Sequence, residues 1–323
     1  MLRLLFHCSA TNDYFAHMLW LVISILFLLP YTVLLLFYRK WWLQLKQTNP
    51  PAGFTPATSF TILIPARNEE NNISTCLQSI RELNYPKQLV EVIVLDDFSD
   101  DATAEKVKQF EGVKLIQLKD VLKDKINSYK KKAIELGVQQ STGNYIVTTD
   151  ADCIVPVNWL RNFAWIIQQQ PTVFIAAPVA MKEENSAIKI FQSLDFISLQ
   201  GITAASVAAG FHSMCNGANL CYSKEAFYKV DGFKDVDHIA SGDDMLLMHK
   251  LYKAFPQQVH YCQSQQSIVQ TAPVETVGEF FRQRIRWASK ADKYDDKRIF
   301  LGFAAGVFTQ CLLSCFTGGL FFQ

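Results

Sequence analysis

The sequence has almost no net charge, +1 over 323 residues. A general binder of nucleic acid or other polyanions needs a basic surplus, so that class is excluded. The eight cysteines are Cys8, Cys76, Cys153, Cys215, Cys221, Cys262, Cys311 and Cys315. They form no Cys-x-x-Cys pair, and no Cys/His cluster has zinc spacing. Free thiols in a reducing compartment are expected. The six histidines make no spaced pair on one predicted element and read as structural or surface residues. Internal repeats and low-complexity tracts are also missing.

What the sequence has in excess is hydrophobicity. Half of its residues are hydrophobic, mean hydropathy is +0.08, and the surplus sits at the two ends. After a short segment, 1–17, residues 18–38 carry no charge. That run is long enough to cross a hydrocarbon core of ~30 Å, and a membrane helix tolerates Pro30. A cleaved signal peptide is the competing reading. The run is too long for one, and no small-residue cleavage site follows. Arg39, Lys40, Trp41 and Trp42 form a basic, aromatic flank. A second apolar stretch, 299–323, follows Lys293, Lys297 and Arg298. Basic residues on the inner side of both stretches predict an integral protein of the inner or plasma membrane. Its intervening domain faces the cytoplasm. The stop at Gln323, directly after apolar residues, is consistent with a truncated sequence.

Residues 39–58 read as an interfacial segment and a Pro/Gly/Thr-rich linker. A β/α alternation begins after it and defines a catalytic domain over 59–292. Strands are predicted at 60–64, 89–95, 113–118 and 145–149, with helices at 69–82, 101–110 and 128–139. This pattern predicts an α/β fold with a mostly parallel central sheet covered on both faces. Further helices are predicted at 186–209, 242–254 and 275–290. The first of these either lies on a membrane surface or packs on the sheet.

In such sheets, ligands bind beyond the carboxyl ends of the strands. Three polar clusters fall there: Pro65–Glu69, Asp96–Asp101 and Asp150–Asp152. Asp150 and Asp152, one residue apart, suit one divalent cation and a donor diphosphate, because Mg²⁺ or Mn²⁺ takes few carboxylates and completes its shell with phosphate oxygens. With 18 aspartates in the chain a chance D-x-D is expected, and Asp235 with Asp237 looks like one. Asp97 suits a base N–H or a ribose hydroxyl, whereas Ser99 or Asp100 suits a helix N-cap, as does Asn68. Lys130, Lys131 and Lys132 offer a point charge for a diphosphate or a solvated helix face. Asp243 and Asp244 open a helix, and a hydroxyl acceptor requires a base. Gln283, Arg286 and Trp287 share one side of a helix, where Trp offers a face for a sugar and Arg a fork for phosphate.

In order, the segments PARNEE, LDDFSDDAT, KKKAI, TTDADC, CNGANL, GDDMLL and QRIRW resemble the family 2 glycosyltransferases over about residues 58–290. The resemblance implies the GT-A nucleotide-sugar-binding fold, flanked by transmembrane helices. It implies that Pro65, Arg67, Glu69, Asp97, Lys130 and Asp150 bind the nucleotide sugar, and that Asp150 and Asp152 hold Mg²⁺ or Mn²⁺. It further implies Asp244 as the catalytic base. Asp243, Gln283, Arg286 and Trp287 fall on the acceptor side, as in the membrane-bound branch that makes cellulose, chitin or hyaluronan. Two positions depart from that pattern: Asp243 stands where Glu is common, and Tyr129 where Gly is common. The expected activity is inverting transfer from a UDP-sugar to a polysaccharide or lipid-linked acceptor at a lipid bilayer, with no nucleic acid involved. The rivals are an inactive nucleotide-sugar-binding membrane subunit and a metal-dependent nucleotidyltransferase.

Overall fold

The computed structural model describes residues 18, 22, 28–121, 129–182, 184–211, 214–234 and 242–288. The expected spans 18–38 and 299–323 fall partly and wholly outside these residues, as do Asp235, Asp237 and the Tyr129 side chain. Among the described residues, no helix is long and apolar enough to cross a membrane. The chain divides into two compact units, one made of Met1–Lys40 with Ala291–Gln323 and the other of Trp41–Lys290. Residues 28–42 form a helix, α1. The remaining elements all belong to the second unit.

Its first half is the expected alternation: β1 (Phe60–Ala66), α2 (Ile73–Arg81), β2 (Val90–Asp96), α3 (Thr103–Val107), β3 (Val113–Gln117), α4 (Leu118–Val121), α5 (Tyr129–Gln140) and β4 (Tyr145–Thr148). β1 is a continuous apolar run because both its faces are covered. Ile62 and Ile64 pack with Ile73, Leu77 and Ile80 of α2 on one face. Leu63 points the other way, into a cluster with Ala133, Ile134 and Val138 of α5. The second half contains α6 (Trp159–Gln169), β5 (Phe174–Ala176), β6 (Val179–Met181), α7 (Ala187–Ala208), β7 (Leu220–Ser223), α8 (Lys224–Lys229), α9 (Asp243–Ala254), β8 (Val259–Tyr261), β9 (Val269–Thr271) and α10 (Val277–Ala288).

The main sheet has seven strands in the order β3-β2-β1-β4-β7-β5-β8, and β6 pairs with β9 separately. β3, β2, β1 and β4 are parallel, whereas β7 is antiparallel to both β4 and β5. From β1 the chain steps outward to β2 and β3, then crosses back to β4 on the other side of β1. The strand order therefore reverses between β1 and β4. Chains leaving these two strands diverge, which opens a crevice at their carboxyl ends.

Two sequence expectations are refined. The Pro/Gly/Thr-rich stretch read as a linker lies along the domain: the Thr48 N–H donates to the Gln263 carbonyl at 2.8 Å, and Thr48 and Thr58 are buried. Of the two readings of 186–209, packing against the domain holds for part of the helix. The C-terminal half of α7 is buried through Thr203–Val207, while Ile190, Phe191, Leu194 and Ile197 are exposed.

The turn into β4 is locked by a partly buried polar knot. The Thr61 hydroxyl donates to Glu91 Oε2 at 2.6 Å and accepts from the Gly143 N–H at 2.9 Å. The Thr142 N–H donates to the same carboxylate at 2.7 Å. A Cβ at Gly143 would stand 2.5 Å from the backbone of Phe60 and Thr61. Neither atom can yield without moving β1. Gly143→Ala is therefore expected to destabilise the domain by ~1–3 kcal/mol, read as a lower urea midpoint; an unchanged midpoint would show that the turn adapts.

Candidate active site

The loops after β1 and β2 clasp each other. The Asn68 N–H donates to the Ser99 hydroxyl and the Asp100 N–H to Asn68 Oδ1, both at 3.0 Å. The Glu69 N–H donates to the Thr103 hydroxyl at 2.8 Å and the Glu70 N–H to Asp101 at 3.0 Å. Asn68 and Phe98 take left-handed backbone angles, φ 56° and 54°, a conformation that Asn tolerates well. Asn68 is thus a turn residue rather than an N-cap, and Asn72 occupies that position for α2. Likewise Ala102, not Ser99 or Asp100, precedes α3, and the Asp101 carboxylate accepts the Thr103 N–H at 2.9 Å.

This clasp holds Arg67, Glu69 and Asp97. Asp96 is fully buried and accepts from the Gln117 amide at 3.3 Å. Its neighbour Asp97 lies 3.8 Å from the Arg67 guanidinium. Asp97 Oδ1 is buried without a hydrogen-bond partner among the described residues. Burial raises the Asp97 carboxyl above its ordinary range, opposed by Arg67 and reinforced by Asp96. Burial also raises Glu69; the Asn72 amide opposes this, and the charges of Asp152, Asp150 and Asp101 add to it.

Asp150 lies two residues beyond the end of β4. Lys130, near the start of α5, places Nζ 3.1 Å from Asp150 Oδ1. The Lys130 ammonium is strongly favoured, first by Asp150, against the cost of burial, and then by Asp243 and Asp244. Asp244 lies in the first turn of α9 and is oriented by two backbone donors. The Gly217 N–H reaches Oδ2 at 3.0 Å and the Met245 N–H reaches Oδ1 at 2.8 Å. The Thr148 hydroxyl donates to the Gly217 carbonyl at 2.8 Å. Pro65, Lys130, Asp150, Asp243 and Asp244 consequently line one cleft.

Asp152 lies beside them and accepts from the Thr271 hydroxyl of β9 at 3.2 Å. Its charge and that of Asp150 act on two buried thiols. Cys76 is pushed up to about 12, chiefly by burial and then by Asp152, Asp150 and Glu69; Cys153 shifts the same way. The five described cysteines, Cys76, Cys153, Cys215, Cys221 and Cys262, are free thiols. Among the described residues, no three His, Cys, Asp or Glu side chains close into a metal cage.

The Gln283, Arg286 and Trp287 set lies on α10, which is anchored to α7. The described contacts of Gln283 and Trp287 run to Arg284, at 2.9 Å, and to the Phe196 ring, with centroids 6.1 Å apart. Arg284, which the sequence reading passed over, is the anchor. Its Nε donates to Asp195 at 2.9 Å, and its guanidinium lies over the rings of Phe280 and Trp287. Gly217 and Thr271 were also missed. Each acts by touching a carboxylate from a distant part of the chain, which no local spacing reveals.

Residues 61–230, just over half of the chain, match the family model described as glycosyl transferase family 2. The chain belongs to this family. Among its relatives are poly-beta-1,6-N-acetyl-D-glucosamine synthases. That of Staphylococcus epidermidis is 25% identical over 71% of this chain and 53% of its own length. That of Staphylococcus aureus strain MSSA476 is 26% identical over 74% and 56%. The chain thus spans about half the length of the curated relatives it matches. Among solved structures, the mannosyltransferase PcManGT from Pyrobaculum calidifontis, in complex with GDP-Man and Mn²⁺, superposes with a TM-score of 0.61 at 19% identity. That match covers 89% of this chain and 81% of the other. S. aureus TarS 1–349 in complex with UDP-GlcNAc gives a TM-score of 0.51 at 17% identity, covering 68% and 59%. The family 2 domain has a GT-A-like α/β fold with a mostly parallel central sheet.

Asp97 yields a pH-dependent prediction. Its carboxyl is raised in the folded state, so folding favours the protonated form, and stability is lost as pH rises through the folded value. Asn mimics the protonated form and escapes that loss. Asp97→Asn is expected to raise the melting temperature of the unliganded protein at pH 7. The gain should vanish as pH falls toward 4. A lower melting temperature at pH 7 would contradict this account.

Proposed function

We propose that this chain is an inverting, metal-dependent glycosyltransferase that moves a sugar from a nucleoside-diphosphate donor to a hydroxyl of a growing glycan. The observation that carries the reading is the convergence of Lys130, Asp150, Asp243 and Asp244 in one cleft at strand carboxyl ends. UDP-N-acetylglucosamine is the proposed donor. The N-acetylglucosamine polymer made by the staphylococcal synthases, as their name states, and the UDP-GlcNAc complex of TarS support that choice.

In the proposed reaction, Asp244 takes the proton of the acceptor hydroxyl as its oxygen attacks the anomeric carbon. The two N–H donors on Asp244 hold the carboxylate in place for that transfer. The bond to the diphosphate breaks on the opposite face, so an α-linked donor gives a β-linked product. Lys130 sets its ammonium beside the departing phosphates as a point charge. Asp97 and Glu69 meet the nucleoside, with Arg67 and Pro65 alongside. Oxygen donors on Asp150 and Asp152 suit Mg²⁺ or Mn²⁺, which needs only one or two carboxylates when phosphates complete its shell. When bound, such a cation supplies charge neutralisation for the leaving nucleoside diphosphate.

The proposed setting is the cytoplasmic face of a bilayer. On α7, Ile190, Phe191, Leu194 and Ile197 are exposed, and on α10 so are Val277, Phe281 and Ile285. Phe191 meets Phe280 edge-on at 5.7 Å, and Arg284 pairs with Asp195, so the two helices share one surface. An apolar face of this kind suits the interfacial zone of a membrane. It also supports placing Gln283, Arg286 and Trp287 on the acceptor side.

Two measurements test this reading. Asp244→Asn is expected to lower sugar transfer by ~10²–10⁴-fold, with UDP-N-acetylglucosamine binding unchanged by calorimetry. Wild-type turnover in that variant would remove the base assignment, and release of pyrophosphate instead of UDP would show a nucleotidyltransferase. EDTA should abolish transfer and Mg²⁺ or Mn²⁺ restore it; turnover that persists in EDTA would refute the metal assignment.

A further inference from the structure

A second cleft, of about 400 Å³, is lined by residues that take no part in the proposed chemistry. Its wall is amide-rich: Asn84, Asn158, Asn162 and Gln266, joined by Arg161 and the backbone of Pro50–Ala52. Its volume falls within the ~300–1,000 Å³ of small-ligand sites. No carboxylate lines it, so neither a metal ion nor a cationic ligand suits it.

The amides are wired in series. Asn84 Nδ2 donates to Asn158 Oδ1 at 3.0 Å, and Asn158 Nδ2 donates to Gln266 Oε1 at 3.0 Å. This relay fixes which end of each amide faces outward: an acceptor oxygen on Asn84 and a donor nitrogen on Gln266. Asn162 supports Asn158 from the buried side. It is only 1% exposed, its Nδ2 donates to the Asn158 carbonyl at 3.2 Å, and its Oδ1 has no partner among the described residues. Arg161 is not presented as a phosphate fork. Its Nη2 is held by the carbonyls of Pro51 at 3.1 Å and Ala52 at 3.3 Å, and its guanidinium lies 5.3 Å from the Phe54 ring centre.

Alternating fixed donors and acceptors match hydroxyl groups, each of which both gives and receives a hydrogen bond. We propose that this cleft is a second saccharide-binding site, which holds a short stretch of the acceptor or product glycan away from the reacting centre. The inference rests on the glycosyltransferase reading. The chain that leaves Asp152 reaches Asn158 in six residues, ~20 Å at full extension. One continuous segment therefore joins the proposed metal-binding carboxylates to this cleft.

The test is calorimetric titration of the whole chain with chitotetraose and with cellotetraose, and separately with inorganic phosphate. Saturable binding of either tetrasaccharide is expected. Asn84→Ala and Gln266→Ala should each weaken it about 3–10-fold, and Asn162→Leu should weaken it as well. Transfer to a single-sugar acceptor should be unchanged in all three variants. Asn84 and Gln266 are exposed, so their variants remain informative if Asn162→Leu fails to fold. The absence of saturable binding would overturn the proposal. So would tetrasaccharide affinity unchanged in the Asn84 and Gln266 variants, or phosphate binding that these variants abolish. Asp244→Asn should bind the tetrasaccharide like wild type. Full turnover in that variant would defeat the base assignment while leaving the cleft result standing, so the two failures are distinguishable.

Discussion

Crowded negative charge at the carboxyl ends of β1, β2 and β4 is the constraint on which the rest of the structure depends. Glu69, Asp97, Asp150, Asp152, Asp243 and Asp244 come from four separate segments; burial first raises the Glu69 carboxyl, and the charges of Asp152, Asp150 and Asp101 add to it. Like charges this close do not assemble unless something else fixes them. Here Lys130 lies against Asp150, and backbone or hydroxyl donors hold Asp244 and Asp152. The clasp between loops 68–70 and 99–103 fixes the remaining side. Much of the site's polar chemistry thus goes into holding acids together, and a ligand that brings a cation would relieve the repulsion.

The antiparallel strand β7 explains how so many segments meet. It pairs with β4 so that Leu220 lies opposite Thr148. The chain entering β7 therefore lies at the same end of the sheet as the chain leaving β4. That puts Gly217 beside Asp244 and Lys130: a Cβ there would lie 3.6 Å from Asp244 Oδ2 and 3.8 Å from Lys130 Nζ. A parallel strand in that place would have sent the Gly217 loop to the opposite end. The one reversal in direction is what joins the first, regular half of the domain to Asp244 on α9.

The first half of the fold was legible because its strands are buried on both faces and its helices keep a clear apolar period. The strand predicted at 89–95 is found at Val90–Asp96, and the helix predicted at 128–139 at Tyr129–Gln140. The short strands β5, β6, β8 and β9 were not legible. Three residues carry too little pattern to separate a strand from a loop, and their partners lie tens of residues away. The same limit applies within the site. The acids stood out because polar residues ended apolar strands. The roles of Gly217, Thr271 and Arg284 depend on contacts between distant segments. Asn68 misled the reading because its side chain serves a turn as readily as a cap.

Arg284 shows how the α7–α10 surface is coupled to the charged cluster. Gln283 and Trp287 share a helix face by spacing, but it is Arg284, bonded to Asp195 and flanked by Phe280 and Trp287, that fixes how α10 sits on α7. The connection continues inward. The fully buried Gln192 of α7 exchanges hydrogen bonds with the backbone of Val274, at 2.9 and 3.1 Å. Three residues earlier, Thr271 donates to Asp152. The exposed apolar face of α7 and α10 is therefore tied, through two hydrogen-bonded steps, to a carboxylate of the charged cluster. A displacement of α7 at Gln192 would therefore reach the segment that carries Thr271 and, through it, Asp152.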